Sequence, residues 1–118
     1  ISHMVGAIYD TQHGLTNAIL LPPVLRFNKS SIADKIKVMN YSTFSSTGGS
    51  EDFYTNICNL LDELEIPKSL YELKVDSKKS AEIAEKAIKD SAARTNPRQA
   101  SIDELKLLVF EAINDARR

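Results

Sequence analysis

From Ser101 to the C-terminus the chain has essentially one conformational option. Ser101-Ile102-Asp103-Glu104 has the form of a capping box, with serine and glutamate three residues apart and each able to satisfy the other's backbone N–H. Leu105, Leu108, Val109, Ala112, Ile113 and Ala116 then recur at the period of one helix face, and Arg117-Arg118 close it where cations suit the helix dipole. A striped helix must bury its stripe, so the rest of the chain has to supply partners. Phe53, Ile57, Leu60, Leu61 and Leu64 form a second stripe, predicting a helix over 51–65 with Ser50 as N-cap and Pro67 beyond its end. Between the two, Ala81, Ala84, Ala87 and Ile88 make a narrow small-residue face, which would let a neighbouring helix come close. Ile32, Ile36 and Met39 mark a short helix after Ser30-Ser31.

The N-terminal third is less usual. Leu15 to Leu25 is apolar nearly all round, which predicts burial on several sides. Pro22-Pro23 should kink or end that helix, because each proline removes a donor and crowds the preceding turn. Tyr41 to Gly49, rich in Ser, Thr and Gly, reads as a loop, and Leu73-Lys74-Val75 is too short to count as a strand. The expectation is an all-α fold, a helical bundle of about five or six helices, with residues 1–118 as a single all-helical domain.

Composition narrows the chemistry. A hydrophobic fraction of 42% and a charged fraction of 26% are ordinary for a globular chain and exclude disorder as a description of the whole. Fifteen Lys+Arg against sixteen Asp+Glu leave a net charge of −1, so nothing points to nucleic acid or an anionic membrane as partner. No apolar run approaches the roughly 20 residues that span a bilayer, and Ile1 to Asp10 lacks the basic start of a secretory signal. A single cysteine, Cys58, lies beside the core stripe of its helix as a packing residue and fits a reducing, cytoplasmic setting. Two histidines and one cysteine are too few for a self-sufficient structural zinc site.

The informative segment is Gly6 to Ala18. Asp10-Thr11 offer N-cap side chains at a break between two apolar stretches, which sets His13 in the first turn of the buried helix. Gly14 beside it leaves the backbone open to close approach, and a helix start presents unpaired N–H groups. Spacing by itself leaves two readings of His13, a locally packed and hydrogen-bonded histidine or a ligand. Asn96-Pro97-Arg98 reads as a turn between helices, and Lys78 to Lys89 as a solvated face.

The run Ser2-His3-Met4-Val5-Gly6-Ala7-Ile8-Tyr9-Asp10, then Thr11-Gln12-His13-Gly14, then Leu15-Thr16-Asn17-Ala18-Ile19-Leu20-Leu21-Pro22 resembles the signature region of the iron-containing (group III) alcohol dehydrogenases. The resemblance continues through Val24-Leu25-Arg26-Phe27-Asn28, resumes at Ile66-Pro67, Leu70 and Leu73, and ends in Asp90 and Thr95-Asn96-Pro97-Arg98. It implies the C-terminal helical half of a two-domain dehydrogenase that moves a hydride reversibly between an alcohol and a nicotinamide. In that family one aspartate and three histidines hold a divalent metal. His13 matches the last of those histidines, and the other three ligands would lie upstream of Ile1.

By the same resemblance His3 is a second, catalytic histidine close to the metal and nicotinamide, with a proton-relay role. Arg98 or Asn96 would face the substrate cleft, and Ala92 stands where some relatives carry a cysteine. The cofactors implied for the full-length enzyme are Fe2+ (or Zn2+) and NAD(P), neither expected to be held stably by these residues alone. The partners implied are an N-terminal nucleotide-binding domain, an alcohol or aldehyde substrate, and a second copy of the chain. Without those partners the chain is expected to be inactive. The alternative expectation is a stand-alone helical interaction module that has lost the chemistry.

Overall fold

The stripe expected of the last helix is the centre of the core. In a computed structural model, which describes residues 1–44 and 50–117 and only the backbone at 44, 50, 51, 91 and 92, six helices reach eight residues or more. They are α1 (Ser2–Tyr9), α2 (His13–Asn28), α3 (Ala33–Phe44), α4 (Ser50–Glu63), α5 (Ser80–Ala87) and α7 (Ile102–Asn114), with a single-turn α6 (Ser91–Arg94) between the last two. Short 3-10 turns fill Lys29–Ser31, Leu70–Leu73 and Ser77–Lys79. No strand occurs among the described residues, and no described helix is long and apolar enough to cross a membrane.

All six stripe residues of the last helical segment are buried, with Val109, Ala112 and Ile113 fully so. They meet Val5 of α1, Ile19 and Leu20 of α2, Leu70, Val75, and Ile83 and Ala84 of α5 in one cluster. The pairing of α5 with α7 is the most extensive between any two elements. Small residues do permit that approach, but the buried set is Ile83, Ala84 and Ala87, while Ala81 and Ile88 face outward. The sequence stripe was thus rotated by about one position from the true contact face. Ile83 was not part of the expected stripe, because the alanines at 81, 84 and 87 repeat at nearly the same period.

α4 follows its stripe only in part. Phe53 and Leu61 are buried, Ile57 is half-buried, and Leu60 and Leu64 are exposed. Its end is set by Glu65 in the left-handed region (φ 57°), with Ile66 N–H donating to the Leu61 carbonyl (3.0 Å) and Glu65 N–H to that of Asp62 (3.1 Å). Those two bonds make a Schellman close. Arg117 does not cap α7. Its guanidinium reaches across to the Ile66 carbonyl and to Asp62 (3.0 Å), joining the two helix ends. The Ser50 N-cap, Gly48-Gly49 and the side chain of Ala92 lie outside the described residues.

Three expectations are corrected. Asp10 is not an N-cap: it takes φ 54° and its N–H donates to the Gly6 carbonyl (2.8 Å), so it ends α1, and Gln12 precedes α2 without a side-chain cap. The prolines do not end α2, which runs on to Asn28 with both rings buried. Helix-breaking costs are offset when the ring is packed on all sides, because leaving the helix would expose that surface. Tyr41 to Phe44 are helical, not loop, and extend α3 beyond its expected end. The polar residues there face outward, while the buried Asn40 accepts from the Asn56 amide (3.2 Å), holding α3 on α4.

The capping box forms as read, with Ser101 N–H donating to Glu104 Oε1 (3.1 Å) and Glu104 N–H to Ser101 Oγ (3.2 Å). Ser101→Ala should therefore cost about 1 kcal/mol in chemical denaturation. The Ser101 N–H, and then the Arg98 charge, hold the Glu104 carboxyl below the usual carboxylate range. A depressed folded pKa contributes stability above the unfolded value and loses it as pH falls through the folded one. The melting-temperature gap between wild type and Glu104→Gln should therefore close as the pH drops below about 4. A gap that persists unchanged in acid would refute it.

Candidate functional site

The two histidines singled out in the sequence come together. α1 ends at the left-handed Asp10, two residues follow, and α2 starts at His13, so the chain folds back and sets one imidazole on each helix. The rings of His3 and His13 stack with centroids 5.6 Å apart and planes 15° from parallel. Behind the turn, the buried Thr16 hydroxyl lies 2.8 Å from the Thr11 hydroxyl and 2.9 Å from the Gln12 carbonyl, fixing the start of α2. His13 is exposed, and beside it a Cβ added at Gly14 would touch nothing. The approach to the backbone next to this imidazole is open, as the glycine suggested.

Each ring has a polar partner. Asn17, one turn along α2, brings its amide nitrogen within 3.1 Å of His13 Nε2, and Asp90 brings a carboxylate oxygen within 2.9 Å of His3 Nδ1. Asn17 was within reach of sequence reasoning, since i+4 places it on the face of His13. Asp90 was not, because 87 residues separate it from His3 and no local spacing announces the pair. The Asp90 carboxylate also faces the Ile1 amino group, which burial pushes below its ordinary value while Asp90 partly offsets that effect.

Next to the pair opens a cleft of about 420 Å³, lined by apolar side chains that include Leu21, Phe27 and Ile88 and by Asn17, Asp90 and Arg98. The Asn96-Pro97-Arg98 turn borders it, but its polar groups are engaged within the chain. Asn96 and Asn28 exchange amide hydrogen bonds (2.8 and 2.9 Å). Arg98 lies over the Phe27 ring at 4.1 Å, donates to the Phe27 carbonyl (3.0 Å) and pairs with Glu104 (2.5 Å).

Cys58 sits apart from this region. Burial raises its thiol pKa, with Tyr54 and Arg117 opposing, so the thiol is protonated near neutrality. The packing reading of Cys58 fits that environment.

Metal chemistry needs more donors than this. Among the described residues no group of three or more His, Cys, Asp or Glu side chains is gathered to hold an ion. Among the described residues the two imidazoles, one of them bonded to a carboxylate, offer fewer than the four donors of a closed metal site.

Comparison with known proteins places the chain. Residues 1–113 match the model of the C-terminal region of the Fe-containing alcohol dehydrogenase family. The chain is 32% identical to the 1,3-propanediol dehydrogenase of Klebsiella pneumoniae over 95% of its own length and 30% of that protein. It is 30% identical to the NADPH-dependent butanol dehydrogenase of Clostridium saccharobutylicum over 96% of its length and 31% of that protein. The crystal structure of a 1,3-propanediol oxidoreductase superposes with a TM-score of 0.82 at 32% identity, covering 95% of this chain and 31% of the other. The chain thus spans about a third of the length of the relatives it matches.

Open space at Gly14 yields a test. Gly14→Ala should leave the stability of this chain unchanged or raise it by up to about 1 kcal/mol, since alanine is the better helix former. Loss of stability in a urea titration would mean that the backbone beside His13 is not open.

Proposed function

The chain belongs to the Fe-containing alcohol dehydrogenase family as its C-terminal, all-helical region, and we propose that it forms one side of a metal-dependent, nicotinamide-linked alcohol dehydrogenase site. Residues 1–118 make up the single helical domain of this reading, and a nucleotide-binding domain makes up the other side. The observation that carries it is the stacked imidazole pair at the start of α2, on the motif that resembles the family signature.

In this reading His13 is one donor toward a divalent ion whose other donors lie outside these residues. Its Nε2 is the nitrogen that Asn17 now engages, so a ligand there would replace an amide as its partner. When bound, such an ion supplies Lewis-acid chemistry at an alcohol oxygen. His3 lies one ring away, close enough to handle the proton that the alcohol gives up. The apolar cleft lies beside the pair, and its Arg98 and Asn96 walls are held by their own partners. No glycine-rich phosphate loop follows a strand anywhere in the sequence, so the dinucleotide is assigned to the other domain.

The test has two arms. Purified chain supplied with Fe2+ or Zn2+, an alcohol and NAD(H) or NADP(H) should show no turnover. The same residues grafted in place of the matching third of the Klebsiella 1,3-propanediol dehydrogenase should restore metal-dependent turnover. In that graft His13→Ala should weaken metal retention by roughly 10–100-fold or more, at least the loss caused by removing an outer-shell partner of a metal ligand. A folded graft that binds dinucleotide yet keeps full metal content after His13→Ala would overturn the assignment and favour a helical module without the chemistry.

A further inference from the structure

Resting on the reading of His3 as a proton-handling group, we infer that Asp90 is its positioning residue. The carboxylate holds the His3 ring as the Nδ1–H tautomer and leaves Nε2 as the nitrogen with the lone pair.

The geometry is asymmetric in an informative way. An ionised carboxylate can only accept, so the hydrogen in the 2.9 Å contact belongs to Nδ1 of the ring. The Asp90 side chain is 11% exposed and that of His3 58%, so the anchor is the carboxylate and the ring is what it orients. Asp90 is itself fixed by backbone. Its N–H donates to the Ala87 carbonyl (3.0 Å) in the turn that ends α5, and its carbonyl accepts from the Ala93 N–H (3.0 Å) at α6.

A bond at one ring edge still allows rotation about that bond. The second contact removes this freedom: the His13 ring lies face to face with His3, and His13 is in turn tied to Asn17. Edge and face together define one orientation of an otherwise solvent-facing imidazole. The Ile1 amino group, which also faces Asp90, is cationic when protonated and offers no competing acceptor to Nδ1. In a carboxylate–imidazole pair of this kind the hydrogen bond made by one ring nitrogen sets which nitrogen is left with the lone pair.

The prediction is spectroscopic and needs neither metal nor substrate. An unconstrained neutral imidazole favours the hydrogen on Nε2, so the Nδ1–H form is a signature. Long-range 1H–15N correlation on 15N-labelled chain, at a pH well above the usual imidazole value of about 6.5, should report Nδ1–H as the major His3 tautomer. Asp90→Ala should reverse the ratio at His3 while leaving His13 as it was, because Asn17 is untouched. The wild-type measurement stands even if the variant does not fold. A wild-type His3 that is mainly Nε2–H, a ratio that Asp90→Ala leaves unchanged, or equal shifts of both rings would each overturn the inference. The metal assay on the graft is independent: correct tautomers with an unmoved metal content sink the proposed function and leave the positioning role of Asp90 intact.

Discussion

Everything in this fold leans on the buried face of α7. Val109, Ala112 and Ile113 have no contact with water; α2, α5 and the turn at Leu70 press on that one surface, and α1 joins the cluster by packing on α2 and α5. Burial at about 25 cal/mol per Å2 of apolar area makes this cluster the dominant favourable contribution, and it dictates where the shorter elements can sit. α1 has only eight residues, too few to persist as an isolated helix. It is held because Val5 inserts into the cluster, and with Val5 comes the helix that carries His3. The position of the imidazole pair is thus a consequence of core packing some distance away. Arg26 adds a polar strut between layers, contacting Tyr54 of α4, Glu111 of α7 and the Ala116 carbonyl beyond it (3.3 Å).

What the sequence disclosed, and what it hid, divides along physical lines. α7 was legible in full, because capping box, stripe and length all agree and its stripe is buried without exception. The helix of Pro22 and Pro23 was misjudged because propensity is a local quantity, whereas the packing that keeps both rings in a helix is supplied by distant residues. Tyr41 to Phe44 were misjudged for the related reason that Ser and Thr mark loops and also exposed helix faces. At Asp10 the residue type was right for a cap, but the local chemistry serves either end of a helix. The left-handed conformation that aspartate tolerates made it the close of α1.

The candidate site shows the same division. His13 and Gly14 stood out from a motif, and Asn17 follows from the pitch of the helix that carries them. His3 and Asp90 could be joined only by folding, since 87 residues separate them along the chain. Family likeness located the histidines. It took the side-chain geometry to show that one ring is held edge-on by a carboxylate and the other end-on by an amide.

The joint between α1 and α2 is only two residues long beyond Asp10, yet the two stacked rings belong to different helices. Their separation is therefore a mechanical gauge of the angle between those helices. A displacement of α1 on the core carries His3 with it, and by reciprocity a ligand that favours one ring spacing favours the matching seat of α1. A helix too short to stand by itself is in this way made responsive to events at its tip.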